Sequence, residues 1–168
     1  TDDENAWAAN LNDVEALQIL KAAADRISDE EGVEIRLGLD LAADRFWDPV
    51  GEVYKYDREG ASRTTQQQLD FLGELIERFN LIYVEDSFNS NDYDSFALLN
   101  KNFGQRCLIC ADDVYASNYE RTKTGIGKGS AGAMIIKPNQ VGTITGTKQT
   151  TFLAQSHGMK IVLSHRSG

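Results

Sequence analysis

Apolar residues fall along the chain in two alternating patterns, amphipathic stretches at helical spacing and short continuous runs. Residues 1–11 are polar and irregular and carry Glu4 and Trp7. Asn12-Asp13-Val14-Glu15 has the form of a capping box, and Val14, Leu17, Ala24 and Ile27 then repeat at helical spacing. This predicts a helix to about Ser28. Gly32 ends the connection, and Val33 to Leu39 alternates like a strand that stops at Asp40. Residues 44–62 read as a longer insertion, with a turn at Trp47-Asp48-Pro49 and a short hairpin arm over Glu52 to Tyr56.

Thr64 or Thr65 opens a second helix with Leu69, Leu72, Ile76 and Phe79 on one face. Leu81 to Val84 predicts a strand ending at Glu85-Asp86, and Tyr93 to Asn100 a short helix. Arg106 to Ala111 predicts a strand ending at Asp112-Asp113, and Ser117 to about Thr122 a helix. The glycine-rich Thr124 to Gly129 is expected to break that helix as a loop. It lacks both the G-x-x-x-x-G-K-[ST] spacing and a preceding strand, so it does not read as a phosphate cradle. Ala133 to Ile136 predicts a strand ending at Lys137, Thr143 to His157 a helix closed by Gly158, and Met159 to Leu163 the last strand.

The strands are apolar without strict alternation, as expected of a parallel sheet buried on both faces. The residues that close them are Asp40, Glu85, Asp112, Lys137 and His165. The last four follow one another at close to the ~30-residue period of a βα barrel unit. The expected fold is therefore α/β, a partial TIM-type (β/α) barrel, with a doubly wound open sheet as the structural alternative. In a barrel, polar residues at the carboxyl ends of successive strands converge on one mouth.

Length and charge narrow the classes. The 168 residues suit one domain with a real core. The net charge of -9, from 17 basic and 26 acidic residues, disfavours nucleic acid or an anionic membrane as a partner. No run of 18 apolar residues suggests a membrane helix, and no basic-then-apolar leader opens the chain. Thr1 in place of Met fits a piece of a longer polypeptide. Cys107 and Cys110 form a C-x-x-C within an apolar strand, where positions i and i+3 face opposite sides. Both are read as core thiols, which fits a reducing, cytoplasmic location.

Asp40, Glu85 and Asp112 put three hard oxygen ligands on neighbouring strand ends. Three carboxylates together repel unless a cation or protons neutralise them, and Mg²⁺ suits such oxygens. Helix capping can absorb single acids of this kind, so only one member of each pair, Glu85-Asp86 and Asp112-Asp113, is expected to enter the mouth. Lys137 beside a divalent cation would have its ammonium form disfavoured and would serve as a base toward a weakly acidic C–H. Ser164-His165-Arg166-Ser167-Gly168 gathers an imidazole, a guanidinium, two hydroxyls and a glycine after the last strand, a set suited to a phosphate or carboxylate.

These segments resemble the enolase family, the phosphopyruvate hydratases. The matching stretches are Gly38-Leu39-Asp40-Leu41-Ala42-Ala43, Val84-Glu85-Asp86-Ser87-Phe88, Ala111-Asp112-Asp113, Ile136-Lys137-Pro138-Asn139-Gln140-Val141-Gly142-Thr143 and the closing SHRSG. They run in the family's order from about Asp3 to Gly168. The resemblance implies Mg²⁺-dependent dehydration of 2-phosphoglycerate to phosphoenolpyruvate, the reverse in gluconeogenesis. It implies that Asp40, Glu85 and Asp112 hold the first of two Mg²⁺ ions, with Glu85 and Asp112 also lining the substrate site. It makes Lys137 the base toward the C2 proton, and His165, Arg166 and Ser167 the substrate contacts, Arg166 on the phosphate. A lysine base paired with one or two Mg²⁺ is the known pattern of this superfamily and is carried over as such.

The family's acid lies in a Gly-Asp-Glu-Gly segment. Here that segment reads Asp2-Asp3-Glu4-Asn5, which matches Glu4 and departs at both glycines. Ser87 and Ala9 stand where many members have Pro. The family's N-terminal α+β domain and a second active-site lysine beyond SHRSG have no counterpart in the 168 residues, so 1–168 is expected to be a catalytic barrel domain cut at both ends. The complete protein would be a homodimer or higher homo-oligomer. Another acid dehydratase or racemase of the superfamily would usually carry a Lys-x-Lys pair on an earlier strand. A non-catalytic binding homologue would be favoured by loss of a metal carboxylate or of Lys137, and neither is lost.

Overall fold

The computed structural model describes residues 9–164. Helix α1 (Asp13–Glu31) starts on a full capping box: Asn12 Oδ1 accepts the Glu15 N–H at 2.9 Å, and the Glu15 carboxylate accepts the Asn12 N–H at 3.0 Å. It runs past Ser28 to Gly32, whose φ of 66° provides the left-handed cap. The expected strand from Val33 shrinks to β1 (Gly38–Asp40). Alternation alone does not make a strand: β1 pairs only through Gly38, Leu39 and Asp40, opposite Tyr83, Val84 and Glu85.

The insertion is more ordered than its sequence suggests. Trp47–Asp48 (β2), Val53–Tyr56 (β3) and Ala61–Arg63 (β4) form a three-stranded antiparallel sheet, so Trp47-Asp48 is strand and the turn follows it. Its buried tyrosines tie it to the rest of the fold. Tyr54 OH accepts the Asn89 N–H at 2.9 Å, and Tyr56 OH donates to Gln68 Oε1 at 2.7 Å.

Next come α2 (Thr65–Phe79, with a Thr64–Gln67 capping box), β5 (Tyr83–Glu85), α3 (Tyr93–Phe103), β6 (Leu108–Ala111), α4 (Tyr119–Lys128), β7 (Ala133–Ile136), α5 (Pro138–Val141), α6 (Ile144–Ser156) and β8 (Lys160–Leu163). Helix α4 corrects the expectation of a glycine-rich loop, because Gly125 and Gly127 are helical. A side chain at Gly125 would overlap the Tyr115 ring, so the residue is small to let the helix approach that ring. Gly129, with φ 68°, ends the helix one residue after Lys128.

The main sheet has the order β1-β5-β6-β7-β8, parallel throughout. Each strand lies beside its predecessor in the sheet, without the reversal that makes a doubly wound fold. The described residues therefore form an open arc of a barrel. Val84, Ile109, Ala111, Met134 and Ile136 join the large core cluster that also holds Leu72, Leu75, Phe96 and Leu99 of the helices. The opposite sheet face holds a smaller cluster of Cys110, Ala133 and Ile135, with Tyr83, Leu108 and Val162 beside it. The two cysteines divide between these clusters, both free and buried. Burial pushes their thiols up to about 11 (Cys107) and about 12 (Cys110), as in inert core positions. Among the described residues, no helix is long and apolar enough to cross a membrane.

Candidate active site

Strand periodicity decides which acidic residue of each pair faces the smaller cluster. Glu85 is two residues past Tyr83, Asp112 two past Cys110, and Lys137 two past Ile135, and Tyr83, Cys110 and Ile135 belong to that cluster. Asp40 stands opposite Glu85 in register and so shares its face. Sequence spacing and strand register thus bring Asp40, Glu85, Asp112 and Lys137 to one end of one sheet face.

Their charges act on one another, although Asp40 and Glu85 are not in the group whose ligand atoms lie within 4.8 Å of one another. Burial raises the Asp40 pKa, the Ala42 N–H donating to Oδ1 at 2.9 Å counters it, and the Asp112 and Asp113 charges raise it further. Burial also lifts Glu85 to about 7; the hydrogen bond from Tyr83 OH opposes this, and the charges of Asp40 and Asp112 reinforce it. Lys137 Nζ donates to Asp112 Oδ2. Burial disfavours the ammonium, yet this bond and the charges of Asp112, Asp113 and Glu85 prevail and raise the Lys137 pKa.

Asp86 takes a different part. Its backbone is left-handed (φ 43°), and its carboxylate turns to the next strand end, where Oδ1 accepts the Asp112 N–H and Oδ2 the Asp113 N–H, each at 2.9 Å. Burial raises its pKa to about 7 against the pull of those two donors. Among the described residues, the acidic groups that bring ligand atoms within 4.8 Å of one another are Asp86, Asp112 and Asp113, a cluster that could hold a metal ion. Both Asp86 oxygens already serve backbone donors, so its observed work is to brace the Asp112 loop.

The donor set fits a hard divalent cation. All three expected ligands, Asp40, Glu85 and Asp112, offer carboxylate oxygens, two of them with raised pKa values, and Asp112 Oδ1 is buried with no hydrogen-bond partner among the described residues.

Glu4, His165, Arg166 and Ser167 lie outside the described residues. Within them the structure adds site residues that sequence reading missed. Tyr83 was accessible in principle, since the i, i+2 spacing puts it on the same face as Glu85. Helix capping is the sequence expectation for either Asp86 or Asp113, and Asp86 instead braces a neighbouring loop. Ser117 and Gln140, which contact each other and the Lys137 backbone, carry no spacing signal at all.

A barrel arc with acids and a lysine at its strand ends defines the class: a (β/α) barrel with a carboxylate-lined mouth. Residues 1–168 match the family described as enolase, C-terminal TIM barrel domain, and the chain belongs to that family as part of its barrel. A protein of Methanothermobacter thermautotrophicus named enolase is 45% identical over 166 residues, 99% of this chain and 40% of that protein. Enolases of Methanosphaera stadtmanae and Pyrobaculum aerophilum are each 43% identical over 166 residues, again 99% of this chain, and 40% and 39% of those proteins. The chain therefore spans about 40% of the length of the relatives it matches.

Proposed function

We propose that this chain contributes the metal-holding and proton-abstracting part of an enolase, a lyase that dehydrates 2-phosphoglycerate to phosphoenolpyruvate and runs in reverse in gluconeogenesis. The observation that carries this reading is the contact of Lys137 Nζ with Asp112, in electrostatic reach of Glu85. Base and metal carboxylate are thus adjacent before any substrate enters. Asp40, Glu85 and Asp112 would hold Mg²⁺, which supplies positive charge where the substrate carboxylate gains electron density.

The chain's own residues do the rest. A cation held by Asp112 would loosen that carboxylate's hold on the Lys137 ammonium and favour the neutral amine. Lys137 takes the C2 proton. Glu4 protonates the departing hydroxide, Arg166 holds the phosphate, and His165 and Ser167 complete the substrate contacts; these four assignments rest on the family resemblance. So do the second Mg²⁺, the homodimer or higher homo-oligomer, the cytoplasmic location, and the reading of 1–168 as a barrel domain continued at both ends.

The test is Lys137→Ala in the full-length protein. The variant should still bind Mg²⁺ and 2-phosphoglycerate but fail to exchange the C2 proton with deuterated water. Substantial exchange would assign the base elsewhere.

A further inference from the structure

We propose that Ser117 is the positioning residue of Lys137, a step that rests on the reading of Lys137 as the base. Strand β6 stops pairing with β7 at Ala111, opposite Met134. Beyond that point β7 has no strand neighbour on the β6 side, and the Lys137 N–H needs another acceptor. Ser117 Oγ provides it at 2.9 Å and donates its own proton to Gln140 Oε1 at 2.7 Å. On the β8 side the ladder continues, with the Ser164 N–H reaching Ile136 O at 3.4 Å.

The segment from Asp112 to Ser117 grips Lys137 at both ends. Asp112 holds its Nζ and Ser117 its backbone N. The segment is itself wound tightly, with Asp112 O accepting the Tyr115 N–H at 3.1 Å and the Ala116 N–H at 2.6 Å. Ala116 and Ser117 both sit in the left-handed region (φ 48° and 52°), an uncommon pair for residues with side chains. Ser117 is fully buried. This strained backbone brings a hydroxyl under the residue that carries the amine. A base works only in contact geometry, and a displacement of about 1 Å costs on the order of 100-fold in rate.

The experiment uses the full-length protein with Ser117→Gly. Glycine removes the hydroxyl and relieves the left-handed strain, so the fold is retained. Turnover and C2-proton exchange of 2-phosphoglycerate should fall about 10- to 100-fold. KM should not rise and Mg²⁺ affinity should not fall with them. Gln140→Leu should give a smaller loss of the same pattern. Independently of activity, hydrogen exchange at the Lys137 amide should speed up at least about tenfold, since its acceptor is gone. Unchanged turnover in an active protein, or unchanged amide protection, overturns the proposal. A parallel rise in KM and loss of metal affinity also overturns it, by making Ser117 merely structural. If the wild-type protein does not act on 2-phosphoglycerate, the enolase reading fails, and the amide measurement still decides whether Ser117 clamps Lys137.

Discussion

The carboxylate of Asp86 holds the backbone of Asp112 from the neighbouring strand end, with Oδ1 accepting the Asp112 N–H at 2.9 Å and Oδ2 accepting that of Asp113 at the same distance. A buried acid that could have been a ligand instead fixes the residue beside it. Removing it leaves two backbone donors without acceptors at the site. Asp86→Ala should destabilise the protein by about 1–3 kcal/mol and weaken Mg²⁺ binding by about 10- to 100-fold. Asp86→Asn keeps one acceptor but faces the other N–H with its amide, so it should recover only part of both losses. Calorimetric titration with Mg²⁺ checks this, and full metal affinity in the Ala variant would remove Asp86 from the site.

Glu85→Gln keeps the size of the side chain and removes its charge. If Glu85 is a ligand, Mg²⁺ affinity should drop steeply while the fold stands. A second signature is available because Glu85 is pushed up to about 7 without metal. Metal uptake near neutral pH should release a proton from the wild type and not from the variant. Titrations in two buffers of different ionisation enthalpy separate the two, and equal proton release in both proteins would exclude Glu85.

Glu85 and Asp86, ordinarily at 4.5 and 3.8, are both raised to about 7 by burial. The folded state therefore keeps protons that the unfolded chain has already lost, and ∂ΔG/∂pH from these groups is negative. Their contribution is complete below about pH 4 and is lost as pH rises through about 7. With a chelator present, the melting temperature should fall from about pH 5 to about pH 8. Saturating Mg²⁺ should reduce the part of that fall that comes from Glu85, because it would bind the ionised carboxylate. A melting temperature that rises with pH in the chelator would show that other groups dominate.

Two glycines of α4 should respond oppositely. A methyl group at Gly125 would overlap the Tyr115 ring, whose hydroxyl also bonds Ser130 Oγ at 2.8 Å. Gly125→Ala should cost about 1–3 kcal/mol through forced displacement. Nothing lies within 4 Å of a Cβ at Gly127, so Gly127→Ala should stabilise the helix by about 0.5–1 kcal/mol. Thermal or urea melts decide, and destabilisation by Gly127→Ala would contradict the helical assignment.

These glycines mark where local reading reaches its limit. Composition alone makes Thr124 to Gly129 a loop, because glycine weakens a helix wherever nothing else decides. Here packing decides, since only a helix without a side chain at 125 can lie against Tyr115. The same limit explains Trp47-Asp48 and Ala61–Arg63, short strands that exist because each pairs with Val53–Tyr56. Val33 to Arg36 is the converse, an alternating run that pairs with no strand among the described residues.

The strand ends were legible because their information is local. An apolar run that stops at a charged residue marks both a buried strand and its exit, and period-two alternation then admits only one member of each acidic pair. Asp40, Glu85, Asp112 and Lys137 could be named as strand ends on that ground, and the five motifs in the family's order carried the family resemblance. The supports of the site depend on contacts between residues far apart in sequence. Asp86 reaches Asp112 and Asp113, and Ser117 reaches Lys137 and Gln140, across gaps of 20–27 residues. A carboxylate or hydroxyl in a loop looks alike whether it faces water or a neighbour's N–H. Only the folded sheet, by ending β6 at Ala111 and carrying β7 past it, creates the unpaired N–H that gives Ser117 its work.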